Sequence, residues 1–300
     1  YGFAGFGSAG PRRLAREPSS EPSIARACCR ARSDWLMAIT HQCLQSARGR
    51  ECSERVSTVH EMTAFGALFE ARFGIPPSEP GAAEHEVSEG SVTSGMLRRG
   101  VLRSFDTSRP VEPATLEMLL ACAQSAPSKS DLNQYSIVVV RDQAKKDYVA
   151  SLLPSMEWIA DCAVFFLFCA DIRRGEVVAE HHGLDHNSNT LDSFMNAAVD
   201  AGIAMMAFIA SAESVGLGCC PISAVREHLH ELCPVFDIPD GVFPVAGLCL
   251  GWPTSPDPRR VTLRPPPSVV VHHESYGNDH RNSVLIWSAL SVCLSVCLSV

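Results

Sequence analysis

The stretch TLDSFMNAAVDAGIAMMAFIASAESVGLG, residues 190–218, limits the fold more than any other part of the chain. Beyond Phe194 its apolar residues fall on nearly every face of a helix, and Gly216 and Gly218 stand where a helix ends. A helix with no polar side has to be covered all round. Part of that cover comes from the chain's own core, and the rest is expected from a second copy, which makes the chain a candidate homodimer.

What surrounds this helix has the composition of core strands. YSIVVVRD (135–142) and AVFFLFCAD (163–171) are short and rich in β-branched and aromatic residues, and FPVAGLCLGWP (243–253) is a third such run closed by Pro253. Helical spacing appears in TAFGALFEARFG (63–74), which stops at Gly74, and in VREHLHEL (225–232). It also appears in VEPATLEMLLACAQSA (111–126), which opens with Pro113 and is followed by Pro127. Residues 75–91 read as a polar Pro/Gly-rich linker. Strands alternating with helices predict one layered α/β domain over 63–278.

The flanks read differently. Residues 1–62 are Arg-rich and lack helical or strand periodicity, so an N-terminal extension is expected there: disordered, a transit segment, or non-native. At the other end LSVCLSVCLSV (290–300) repeats with a period of four, as a repeated tetranucleotide would encode. Residues 279–300 are therefore expected to lie outside the fold, as a low-complexity tail. The apolar run there is short for a bilayer and interrupted by Ser, so no membrane anchor is expected.

A formal net charge of −8 argues against nucleic-acid binding, which needs a basic surface. The 13 cysteines contain no C-x-x-C, and many sit inside apolar runs, as small buried hydrophobes do. Free thiols imply a reducing compartment, the cytoplasm, with organelle targeting by residues 1–62 as the alternative. There is no P-loop, no G-x-G-x-x-G and no G-x-S-x-G. HHGLDH (181–186) offers His182, Asp185 and His186, but Gly183 and the polar flanks favour a solvated loop over a metal site.

Four dispersed segments remain: RRGVLRSF (98–105), APSKSDLNQYS (126–136), GLGCCPIS (216–223) and RRVTLRPPP (259–267). Arginines bind phosphate bidentately, and Ser-rich turns can read a heterocycle's edge. Taken singly, each segment is equally a polar surface loop. In this order they resemble the nitroreductase-like flavoproteins, in the branch of FMN-dependent NADPH oxidoreductases. Arg99, Val101, Arg103 and Phe105 match the family's Arg-x-Ser-x-Arg-x-Phe. Ala126, Pro127, Ser128, Asp131, Leu132, Asn133 and Tyr135 match its A-P-[ST]-x-x-N-L-Q-x-W. Asp200, Ala201, Gly202 and Glu213 match its dimer-forming helix, and CPISAVR (220–226) matches the stretch along the flavin ring.

The resemblance implies an α+β layered fold with a mainly antiparallel central sheet flanked by helices, a long dimer-interface helix and a site formed between two subunits. It implies FMN as cofactor and NADPH or NADH as electron donor. The acceptor would be a nitroaromatic, a quinone or another flavin, reduced by ping-pong hydride transfer through flavin N5, with no obligatory side-chain acid or base. Arg99 and Arg264 would clamp the FMN phosphate, and Arg103 would face the pyrimidine edge and favour the reduced flavin. Ser128 and Ser130 would make polar contacts near the ring or phosphate. Asn133 would read the pyrimidine edge, while Pro221, Ile222 and Ser223 would line the other side of the ring. Arg98 would be a solvated neighbour.

Three positions depart from the pattern. Val101 stands where a hydroxyl is expected, and Thr262 where a basic residue is expected, with Arg260 as a substitute. Asp131 stands where an amide donates to the flavin; it is protonated, or it turns away in favour of Asn133, or the flavin is held more weakly. The alternatives to a broad NAD(P)H oxidoreductase are a narrower flavin enzyme (reductive dehalogenation or flavin fragmentation) and a non-enzymatic flavin binder with a decayed site.

Overall fold

The computed structural model describes residues 64–185 and 190–276. The extension 1–62, the tail 279–300 and His186 lie outside the described residues.

Helix α1 (Phe65–Phe73) ends where expected, on Gly74 at φ 72°, a conformation glycine adopts without penalty. A short helix leading into the RRGVLRSF stretch was not anticipated: α2 (Val92–Arg98) starts on Ser91, whose side chain accepts from the Ser94 N–H. Helix α3 (Pro113–Gln124) carries proline in its first turn, as its sequence requires. Strand β1 (Tyr135–Val140) is followed by α4 (Gln143–Leu152), which the sequence reading missed; it is too polar to show an apolar stripe, and Asp142 caps it. The single turn α5 (Trp158–Asp161) leads into β2 (Val164–Asp171) and then α6 (Arg173–His181). This last helix was not anticipated; it takes in His181, and the solvated loop expected over 181–186 turns at Gly183, at φ 64°.

Helix α7 (Leu191–Ser214) ends four residues before Gly218, because β3 (Gly218–Ile222) starts there. A Cβ on Gly218 would lie 2.4 Å from Leu102, so this strand start must be glycine for Leu102 to pack. The expected helix over 225–232 divides into a 3-10 segment (Ala224–His228) and α8 (Leu229–Val235). Strand β4 (Val242–Gly251) and the single turn α9 (Pro267–Val270) complete the described elements.

The four strands run in the order β1-β2-β4-β3, each neighbour pair antiparallel. β2 is buried along its whole length because helices cover both faces of the sheet. Phe166 and Phe168 point into a core with α3 and α7, where Phe208 meets Phe166 edge-on at 4.8 Å. Phe165 and Leu167 point into a second core with α4, α5, the 3-10 segment and α8. A period of two is thus present in β2 but hidden, since both of its faces are apolar.

Helix α7 is half covered, not covered all round. Ala197, Ala201, Ala204 and Ala212 set small buried side chains on the inner face, with Phe208 inserted among the core aromatics. Opposite them Leu191, Met195, Val199 and Ile203 form an apolar ridge at i+4 spacing, from 76% to 37% exposed. By length and apolarity α7 passes for a membrane span, but its inner stripe is the domain core.

Candidate functional site

Residues 99–105 run extended from the end of α2 along the outer side of β3, with the Leu102 N–H donating to the Cys219 carbonyl at 3.0 Å. Gly100 lets this segment touch the second arginine stretch. A Cβ there would sit 2.5 Å from the Arg260 carbonyl oxygen, so any other residue would force the two segments apart. RRGVLRSF and RRVTLRPPP, distant in sequence, are adjacent in space.

Where they meet, guanidinium groups collect around one buried carboxylate. Arg99 donates from Nε and Nη2 to Glu213 at 3.3 and 3.1 Å, with both side chains largely buried. Glu213 is carried by the last turn of α7. Burial raises its pKa above the usual carboxylate value, while Arg99, Arg259 and Arg72 pull it down. Arg259 lies over Asp257 and donates to the Leu217 carbonyl at 3.0 Å. Arg264 donates from Nη1 to the Thr262 hydroxyl at 3.1 Å. Thr262, where a basic residue was expected, therefore orients a neighbouring cation rather than adding one.

Arg72 of α1 was not anticipated. It is 4% exposed and donates to the carbonyls of Leu97, Arg99 and Thr262. Burial, with the charges of Arg264 and Arg99, lowers its pKa to about 10, so it stays charged at neutral pH. Apart from helical spacing, nothing in ARFG distinguishes it from a solvated arginine. Arg98 is also corrected: its side chain is only 16% exposed and reaches Glu89 at 3.5 Å. Val101, at 36% exposed, presents methyl groups where a donor was expected.

Farther along the segment, Arg103 lies 5.4 Å from the Trp158 ring centre, a cation–π approach. Burial pushes the Cys220 thiol up against the pull of Arg103 and Trp158 beside it. On β3, Pro221 is exposed and Ile222 turns its side chain into the second core, while Ser223, just past the strand, is exposed. Ile222 can thus offer its backbone outward but not its side chain.

The loop after Pro127 is held in an unusual conformation. Ser130, Asp131 and Asn133 take φ of 53°, 56° and 48°, left-handed values that cost a non-glycine residue about 1–2 kcal/mol each. Asp200, 2% exposed on α7, holds the loop by accepting from the Lys129 N–H at 2.9 Å and the Gln134 N–H at 3.1 Å. Ser128 Oγ accepts from the Asn133 N–H at 3.1 Å, and the Asn133 carbonyl accepts from Arg174. The side-chain Nε2 of Gln134 is buried without an acceptor among the described residues. An over-determined, strained loop with an unspent donor is a common form for a ligand-reading edge.

Arg99 and Arg264 are thus brought together, as are Ser128, Ser130, Asp131 and Asn133, and Arg103 flanks the β3 strand that carries Pro221 and Ser223. Asp200 and Glu213, which anchor the loop and the arginine cluster, stand about 20 Å apart along α7. Asp200 and Glu213 are invisible as anchors in sequence, because the groups they hold lie far away along the chain. Among the described residues no His, Cys, Asp and Glu cluster is arranged to hold a metal.

Comparison with known proteins supplies the context. The family model described as "Nitroreductase family" matches residues 96–252. An FMN reductase [NAD(P)H] of Bacillus subtilis is 37% identical over 179 residues, 59% of this chain and 71% of that protein. A second B. subtilis protein, FMN reductase (NADPH), is 33% identical over 186 residues, 61% of this chain and 73% of that protein. Among solved structures, B. megaterium NfrA2 superposes with a TM-score of 0.63 at 31% identity, covering 66% of this chain and 80% of that one. The NADPH:FMN oxidoreductase of Vibrio harveyi, solved with NAD+, gives 0.61 at 25%, covering 68% and 85%. With the family model matched over more than half of its length, the chain belongs to the nitroreductase family.

Proposed function

We propose that this protein is an FMN-dependent oxidoreductase that draws on NADPH or NADH and reduces a small acceptor, a nitroaromatic, a quinone or a free flavin. The observation that carries the reading is the clustering of Arg72, Arg99 and Arg259 about the largely buried carboxylate of Glu213, with the Arg264 N–H donating to the Arg72 carbonyl beside them. Such an excess of positive charge suits a dianionic phosphate, which guanidiniums bind bidentately. Arg99 spends Nε and Nη2 on Glu213 and keeps Nη1 for an incoming oxygen.

Bound FMN would supply hydride acceptance and donation at N5, with donor and acceptor taking turns on one face. The chain's own part is to bind and to tune. Arg99 and Arg264 hold the phosphate, and Arg103, lying between Trp158 and Cys220, offers positive charge to the pyrimidine edge. Pro221, Ser223 and the backbone of Ile222 form a flat wall for the ring. Ser128, Ser130, Asp131 and Asn133 present polar groups from a loop that Asp200 keeps from relaxing.

The loop and the arginine cluster belong to one site through dimerisation. In a two-fold dimer packed through the α7 ridge, each subunit's loop is set against its partner's arginines. The ridge of Leu191, Met195, Val199 and Ile203 is the apolar face that such packing needs.

The direct test is the visible spectrum of the purified full chain, anaerobically, with and without NADPH. Flavin bands that bleach with NADPH and return on adding a quinone or nitroaromatic are expected; a chain that stays colourless with added FMN would refute the reading. A second result concerns Asp131. Its carboxylate repels a reduced flavin anion, and asparagine tolerates φ 56° at least as well. Asp131→Asn is expected to tighten FMN binding about 5-fold, roughly 1 kcal/mol. Unchanged affinity in a fluorescence titration would place residue 131 away from the ring.

A further inference from the structure

Arg72 is sealed from solvent, yet its hydrogen-bond partners are main-chain carbonyls rather than a carboxylate. Nε and Nη2 reach Leu97 O at 3.0 and 2.8 Å, Nη2 reaches Arg99 O at 2.6 Å, and Nη1 reaches Thr262 O at 3.0 Å. The Arg72 carbonyl in turn accepts the Arg264 N–H at 2.8 Å. One residue of α1 therefore ties the peptide of Arg99 to the stretch that carries Thr262 and Arg264. It also places a charge near both guanidiniums that carbonyl dipoles solvate and that Glu213, already paired with Arg99, offsets only in part. A buried cation left in that state is costly, and a dianion bound in front of it offsets the cost.

We infer that Arg72 is a positioning residue for the phosphate end of the flavin, setting the spacing of Arg99 and Arg264 and adding a fixed positive charge behind them. This rests on the FMN reading above. Its donors are largely committed to the chain, so contact with the phosphate falls to Arg99 and Arg264. Arg72 and Arg264 both lie outside the 96–252 region of the family match, so this device belongs to segments flanking it.

FMN and riboflavin differ only in the phosphate, which separates this role from general support of the fold. Binding of each to the full-length wild type, Arg72→Lys and Arg72→Met is measured by quenching of flavin fluorescence. Wild type is expected to prefer FMN by about 100-fold or more. Arg72→Met should weaken FMN binding at least ~30-fold while riboflavin binding stays within about 3-fold. Arg72→Lys, which keeps the charge but cannot span the same carbonyls, should fall between the two. Equal losses for both ligands, or no loss of FMN, would overturn the assignment. Should Arg72→Met not fold, the FMN-to-riboflavin ratio of Arg72→Lys decides in the same way. A wild type that binds neither ligand would instead overturn the FMN reading itself.

Discussion

Met195→Asp/Val199→Asp is expected to turn a dimer into monomers that purify without flavin. Both side chains are about half exposed in the single chain, so the substitutions cost the isolated subunit little. In a two-fold interface each change occurs twice, and four carboxylates would be forced out of water against an apolar ridge. Each unpaired buried charge costs several kcal/mol, so dimer affinity should fall by a factor of at least about 10⁴. Flavin occupancy should fall with it, because in the proposed dimer each site is completed by the partner's loop. Light scattering after gel filtration, with the ratio of flavin to protein absorbance, reads both quantities. A double variant that stays dimeric and yellow would show that the ridge faces solvent in the functional molecule.

Arg99→Met should produce the largest loss of stability, and the loss should depend on pH. Glu213 is already pushed toward the neutral form by burial, and Arg99 is the main group holding it ionised. Without Arg99 an unpaired buried carboxylate remains, at a cost of about 3–5 kcal/mol. The folded state then binds the Glu213 proton more tightly than the unfolded state does. Stability is accordingly retained below the ordinary glutamate pKa and lost as pH rises through the raised folded-state value. The variant's thermal midpoint should lie roughly 10 °C below wild type at pH 8 and recover substantially near pH 5. Adding Glu213→Gln should restore stability at pH 8 without restoring FMN binding. A pH-independent deficit would mean that Arg99 acts through packing alone.

Much of the architecture was legible from local pattern. The runs at 135–142, 163–171 and 243–253 are strands, Gly74 ends α1, and Pro113 opens α3, since each depends on residues a few positions apart. The misses have two causes. Helices α4 and α6 lie with much of their surface in solvent and show no apolar stripe, and β3 is too short and too glycine-marked to separate from a helix cap. The resemblance located the arginine segments and the loop at 128–133. It did not foresee that Arg72 and Asp200 would hold them, or that Glu213 would pair with Arg99.

By itself, the sequence determined three of the four strands and the helices with clear apolar spacing, that a long helix carries more apolar surface than one core covers, and which family the dispersed motifs resemble. Tertiary structure alone decided which face of α7 stays open, that Gly100 and Gly218 are sites of contact rather than flexibility, and that an arginine 4% exposed ties two distant segments together. Local propensities act over one or two turns of chain. The partners of Arg72, Asp200 and Glu213 lie 24 to 190 residues away, and only the closed packing of the sheet between its helices brings such groups within hydrogen-bonding distance.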